Sequence, residues 1–127
     1  MVTTARVIGS GTSAQAATFI VGTTAGALIT ASGTVQADAI RMDHDVIAYG
    51  TVASGSGTIL PASTEAGDTR LIKNLGANAL LVYPPVGGVI DALSVNAAFS
   101  IPAGKACLFV RHRLSTNGDF WVSFLGA

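Results

Sequence analysis

The sequence predicts an all-β domain, an antiparallel β-sandwich or jelly-roll-like barrel with at most one short N-terminal helix. Short apolar runs rich in β-branched residues follow one another along the chain, and Gly, Ser, Asn, Asp and Pro separate them. Asn117-Gly118 stands between two such runs, as in a tight hairpin turn. At 127 residues the chain is long enough for one domain with its own hydrophobic core.

The N-terminal 22 residues differ from the rest of the chain. Residues 1–12 are small and show no apolar period, which indicates an extended arm. Ser13 can cap a short helix over residues 14–22, which ends on a glycine. We therefore divide the chain into an N-terminal arm, residues 1–22, and a β-sandwich domain, residues 23–127.

Ten strands are expected in the sandwich domain. Their predicted positions are 26–31, 38–42, 45–53, 57–60, 69–75, 78–83, 89–93, 97–101, 105–112 and 119–125. The tripeptide Ser-Gly-Thr occurs three times, beginning at Ser10, Ser32 and Ser56, but its flanks do not align at a fixed period. We interpret these tripeptides as turns and do not predict a solenoid.

Several of the predicted strands are apolar on both faces. The faces are Leu80 and Val82 against Ala79, Leu81 and Tyr83 in 78–83, Cys107 and Phe109 against Ala106, Leu108 and Val110 in 105–112, and Phe120, Val122 and Phe124 against Trp121 and Leu125 in 119–125. Two-sided strands are typical of sheets covered by helices, and this sequence offers none to cover them. We expect the second faces to meet another subunit or a partner protein.

The composition suggests that other protein covers part of the surface, and it argues against nucleic-acid-binding, membrane and secreted proteins. Charged residues make up 11% of the chain, against about 25% in an ordinary soluble domain. Basic and acidic residues balance at seven each, so neither nucleic acid nor an anionic membrane is an expected partner. The apolar runs are far shorter than a spanning helix requires, and the N-terminus is too polar for a secretory signal. We expect synthesis in a cytoplasm.

Residues with catalytic or metal-binding chemistry are few. Asp43, His44 and Asp45 could form a metal trio, but alternation in a strand turns His44 away, and a polar turn is the favoured interpretation. Cys107 lies in an apolar run and is expected to be a small buried residue. With no nucleophile elbow or paired carboxylates, we predict neither an enzyme nor any catalytic, cofactor-binding or metal-binding residue.

Residues 111–113, Arg-His-Arg, form the only cluster of basic residues. The cluster lacks the interleaved aromatic residues and the extent of a nucleic-acid site. We interpret it as a polar strand end before the Asn117-Gly118 turn. A salt bridge to another subunit or to a capsid is the alternative.

From Thr58 onward, a little over half the chain, the order of motifs resembles a β-rich module of small structural proteins of tailed bacteriophages. The family includes capsid decoration (cement) proteins and some head or tail fibre proteins. The matching positions are Leu60-Pro61, Asn74, Gly76-Ala77-Asn78, Val82-Tyr83-Pro84, Ile90, Pro102, Gly104-Lys105, Phe109 and Trp121. These are turn and core positions, so the resemblance carries over no active-site residue.

The resemblance implies a structural protein of the virion. Such a protein would bind the outside of a tailed-phage capsid as a homotrimer and stabilise the lattice of the major capsid protein. The alternative is a receptor-binding or carbohydrate-binding module of a head or tail fibre, which would need exposed aromatic side chains. With one Trp and two Tyr, the chain has few to offer.

Overall fold

The computed structural model describes residues 27–62, 65–112 and 119–126. These residues form ten strands: β1 (Ile29–Thr30), β2 (Ile40–Arg41), β3 (Val46–Thr51), β4 (Gly57–Ile59), β5 (Thr69–Asn74), β6 (Leu80–Tyr83), β7 (Val89–Ile90), β8 (Phe99–Ile101), β9 (Ala106–His112) and β10 (Phe120–Leu125). Each predicted strand contains one of them, so the all-β prediction is confirmed. A short 3-10 helix, Gln36–Asp38, lies before β2.

The ten strands form two sheets. Sheet A has the order β1-β3-β5-β9-β10-β7, and sheet B has the order β2-β4-β6-β8. The expectation of antiparallel sheets is wrong, because both sheets are mixed. Strands β1, β3 and β5 pair in parallel, as do β2, β4 and β6, and β7 is parallel to β10. The antiparallel pairs are β5 with β9, β9 with β10, and β6 with β8.

The parallel pairing follows from the path of the chain between the sheets. From β1 to β6, successive strands alternate between sheet A and sheet B. Each strand in one sheet is therefore the crossover that brings the chain back parallel to itself in the other. The turns of this coil are unequal, since Ile29 pairs with Tyr49 whereas Val46 pairs with Leu71. Because the turns differ in length, this coil leaves no fixed period in the sequence, and the Ser-Gly-Thr tripeptides do not reveal it.

The two sheets pack face to face around one hydrophobic core. Its members include Ile72, Val82, Ile101, Phe109 and Trp121, all fully buried. The inner positions alternate with outer ones along each strand, as the side-chain period of two requires. All the described strands from β3 to β10 thus belong to one sandwich.

A chain of buried hydroxyl groups crosses the core between the sheets. The Tyr49 hydroxyl lies 2.6 Å from Thr58 Oγ1, and Thr58 Oγ1 donates to the carbonyl oxygen of Ile40 at 2.8 Å. Because the Thr58 proton is used on Ile40, Tyr49 is the donor of the first bond. Burial raises the pKa of Tyr49, so the phenol stays protonated and can donate.

A fully buried asparagine closes the turn between β5 and β6. Asn74 Nδ2 donates to the carbonyl oxygens of Asn78 and Ile101, each at 2.9 Å, and Asn74 Oδ1 accepts from the Gly76 amide at 2.9 Å. A Cβ at Gly76 would lie 2.6 Å from Cβ of Val52, so only glycine fits there. Residues 74–78, Asn-Leu-Gly-Ala-Asn, which belong to the phage-like motifs, therefore connect the two sheets. We call this segment the latch.

Some predictions fall outside the described residues. These are the arm and helix of residues 1–22, the first Ser-Gly-Thr tripeptide, and the turn around Asn117-Gly118. The strands that flank that turn are described, and they pair antiparallel with His112 opposite Phe120.

Candidate functional site

The outer face of sheet A carries a continuous row of apolar side chains. In the strand register, Val46 of β3 is opposite Leu71 of β5, Leu71 is opposite Leu108 of β9, and Leu108 is opposite Phe124 of β10. We call these four residues the apolar row. Exposure of the side chains is 36% for Val46, 39% for Leu71 and 58% for Phe124, while Leu108 is half-buried. Four neighbouring strands thus present one apolar stripe to the surroundings.

The surroundings of the apolar row are also poor in charge. The next row along the same face consists of Thr69, Val110 and Val122. Among the described residues of β3, β5, β9 and β10, the outward positions include one lysine, Lys73, and no arginine or carboxylate. Lys73 Nζ donates to the carbonyl oxygen of Gly104 at 2.7 Å. An apolar area with a sparse polar rim is the kind of surface that meets another protein.

Sheet B differs, because its own chain covers part of its outer face. Tyr83 points outward from β6, yet its side chain is buried, and its hydroxyl donates to the carbonyl oxygen of Thr34 at 3.4 Å. The ring lies over Gly57, where a Cβ would come within 3.0 Å of it. The chain itself covers Tyr83. The outer face that we still expect a partner to cover is therefore mainly that of sheet A.

An open cleft of about 480 Å³ lies where three parallel strands of sheet B end. Its lining comes from residues 41–43 at the end of β2, 59–62 at the end of β4, and 85–86 after β6. Pro61 and Pro85 both lack an amide donor, and the lining is otherwise mostly aliphatic. Arg41 and Asp43 add one charge of each sign. No motif in the sequence predicted this cleft, although a proline after each of two apolar strands marks both strand ends.

Hydrogen bonds hold the loop at one side of the cleft. Gln36 Nε2 donates to the carbonyl oxygen of Pro84 at 2.8 Å and to Asn96 Oδ1 at 3.1 Å, and Asn96 Oδ1 also accepts from the Gly87 amide at 2.7 Å. Between Pro84 and Gly87, Val86 lines the cleft and is 78% exposed. The hydrogen-bonded loop therefore keeps the Val86 side chain exposed to solvent.

The Asp-His-Asp segment lies in the connection from β2 to β3. Asp45 Oδ1 is 2.8 Å from Arg70 Nη1, so this carboxylate is used in an ion pair. No group of three or more His, Cys, Asp or Glu side chains in the described part of the chain could hold a metal ion. The arrangement agrees with a polar turn that is fastened to β5.

Two residues of the basic cluster make contacts within the chain. Arg111 Nε is 3.0 Å from Asp119 Oδ1 across the pair of β9 and β10, and both side chains are mostly buried. The His112 ring meets Phe120 edge-on, with 5.8 Å between ring centroids. Arg113 lies outside the described residues. For Arg111, the ion pair closes the end of the hairpin.

Cys107 and Trp121 are core residues, as predicted. Cys107 is 1% exposed, and burial raises the pKa of its thiol to about 11, which makes it a poor nucleophile. Trp121 is fully buried, and its Nε1 has no hydrogen-bond partner among the described residues. Neither side chain is placed to contact a ligand.

Comparison with protein-family models, with curated proteins and with solved structures finds no match for this chain. In the part of the chain that the structure describes, no helix is long and apolar enough to span a bilayer.

Proposed function

We propose that this protein is a non-enzymatic structural subunit that assembles with copies of itself through the outer face of sheet A. The apolar row carries the proposal, because Val46, Leu71 and Phe124 leave apolar surface in water that the sandwich cannot cover. Burial of such surface is the main driving force of stable protein association. With 11% charged residues, the chain also has few charged side chains to surround that apolar surface.

The resemblance of residues from Thr58 onward to structural proteins of tailed phages supports a location for this assembly on the virion. We propose a homotrimer that decorates the outside of a tailed-phage capsid and binds the major capsid protein. A subunit that binds only the assembled lattice would stabilise it by mass action. The fibre alternative needs several exposed aromatic platforms for sugars. Trp121, Tyr49 and Tyr83 are buried, and Phe124 is the one exposed Phe, Tyr or Trp among the described residues.

A charged substitution on the apolar row tests self-assembly. Light scattering of the purified full chain at micromolar concentration should give the mass of a trimer. Phe124→Glu places a carboxylate on the most exposed side chain of the apolar row, at its β10 end, and should reduce the mass to that of a monomer, because a buried unpaired charge is strongly unfavourable. Val95→Glu is the matched control, since Val95 is similarly exposed at 54% but lies in the loop after β7.

A monomeric wild-type protein, or a V95E variant that dissociates while F124E remains assembled, would contradict the proposed interface. Capsid binding is tested separately. In a phage that carries the gene, particles lacking this protein should rupture at a lower temperature and recover when purified protein is added. An assembled protein that neither binds nor protects these particles would overturn the capsid assignment alone.

A further inference from the structure

We propose that the cleft at the ends of β2, β4 and β6 binds an extended peptide, with an aliphatic side chain in the cleft and an acidic side chain on Arg41. This site lies on sheet B, away from the apolar row, and does not depend on self-assembly through sheet A. The occupant is a segment of a partner protein that combines an aliphatic residue with charges on either side.

The size and lining of the cleft suit an aliphatic side chain together with its adjoining backbone. A volume of about 480 Å³ is within the range of about 300–1,000 Å³ that is typical of ligand sites. Ile59, Leu60, Pro61 and Pro85 supply apolar walls, and Val86 adds an exposed edge. The walls offer little to a polar group, so an apolar side chain gains most from entering.

Arg41 and Asp43 determine the chemistry at the mouth. The two side chains are exposed, while Met42 between them is buried at 2% exposure, so both charges lie on the same side of the chain. Neither makes a hydrogen bond or ion pair with any described residue. Two residues of extended chain span roughly 7 Å, and an extended peptide can present opposite charges at the same spacing.

The pair of charges favours a peptide over a simple fatty acid. A guanidinium binds a carboxylate through two parallel hydrogen bonds. The Asp43 carboxylate would repel a second carboxylate nearby but would accept from an ammonium group or from peptide N–H groups. A peptide that carries an acid and a base around an aliphatic residue satisfies both charges, whereas a fatty acid satisfies only Arg41.

The cleft is built before any ligand arrives. The Met42 amide donates to the carbonyl oxygen of Ile59 at 3.1 Å, and the Leu60 amide donates to that of Tyr83 at 2.9 Å. The Gly88 amide donates to the carbonyl oxygen of Pro85 at 2.7 Å and closes the loop that carries Val86. Because these walls are held by backbone bonds, little ordering of the protein accompanies binding.

The proposal is tested by titrating the full ¹⁵N-labelled chain with the blocked tripeptide acetyl-Glu-Leu-Lys-amide and following amide chemical shifts. Saturable shifts should cluster at Arg41, Asp43, Leu60 and Val86. Arg41→Gln should weaken binding at least about fivefold, because a charge-assisted hydrogen-bonded pair is lost. Ala62→Phe should abolish binding by filling the cleft, since Ala62 lines it with an exposed side chain.

Lys73→Gln is the matched control, since it also removes one positive charge but lies on the outer face of sheet A, and it should leave the affinity unchanged. Two further probes separate ligand classes: acetyl-Gln-Leu-Gln-amide should bind as weakly as the peptide binds the R41Q variant, and octanoate should bind more weakly than the charged tripeptide. Shifts outside the cleft, or binding that survives A62F, would overturn the site. Octanoate binding more tightly than the charged tripeptide would overturn the peptide assignment.

Discussion

The two faces of sheet A are made of similar residues but have different surroundings. On the inner face Ile72, Phe109 and Trp121 are fully buried, whereas on the outer face Leu71 is 39% and Phe124 58% exposed. A fully buried large apolar side chain contributes about 1.5–3 kcal/mol relative to an exposed one. The fold obtains this contribution on one face only, so the apolar residues on the other remain available for assembly.

The outer face of sheet B clarifies this difference. Tyr83 points outward there, yet the Thr34 segment covers it, whereas no described segment covers Phe124. The described part of the chain thus covers its outward aromatic residue on sheet B and leaves one open on sheet A. Among the described residues this uncovered apolar face belongs to sheet A, which is why we propose the contact there.

The largest expected effect tests the inner face. Trp121→Ala should lower the free energy of unfolding by about 3–5 kcal/mol, because it leaves a cavity in a closely packed core. Phe124→Ala on the outer face should change it by less than about 0.5 kcal/mol once the protein is dissociated. Urea unfolding of both variants, measured in dilute solution, compares the two faces directly. Equal losses would mean that Phe124 is as much a core residue as Trp121.

A smaller effect is expected at the latch between the sheets. Asn74→Ala should cost about 1–3 kcal/mol, since it removes three hydrogen bonds and leaves the buried carbonyl group of Ile101 and the part-buried one of Asn78 without this donor. Thermal unfolding measures the loss. The matched control is Asn78→Ala, which removes an asparagine side chain with one hydrogen bond from an exposed position of the same segment. A loss in N78A as large as that in N74A would show that burial of Asn74 is unimportant.

The smallest effect is a pH dependence at Cys107. Burial raises the pKa of the thiol from 9.0 to about 11, so the folded protein holds the proton more tightly than the unfolded chain. The free energy of unfolding should therefore fall as pH rises from about 9 towards 11. The decrease should be smaller in Cys107→Ala, with the titrating Tyr49 present in both proteins. Identical pH profiles would mean that the thiol has an ordinary pKa in the folded state.

Much of the local structure could be predicted from the sequence. The ten strands follow from short apolar runs separated by turn residues. The placement of Phe124 on the face opposite to Trp121 follows from a side-chain period of two. These features depend only on neighbours along the chain. Turn residues also predicted the break at Tyr83-Pro84, where β6 ends.

The tertiary structure alone decided which strands became neighbours. A period of two states which side chains share a face, but it is the same for a parallel and an antiparallel partner, so the mixed sheets were not predictable. The role of Asn74 also depends on carbonyl groups that are distant in sequence, such as that of Ile101. The apolar row and the cleft arise for the same reason: each joins residues from three or four strands, and their contact is a property of strand order.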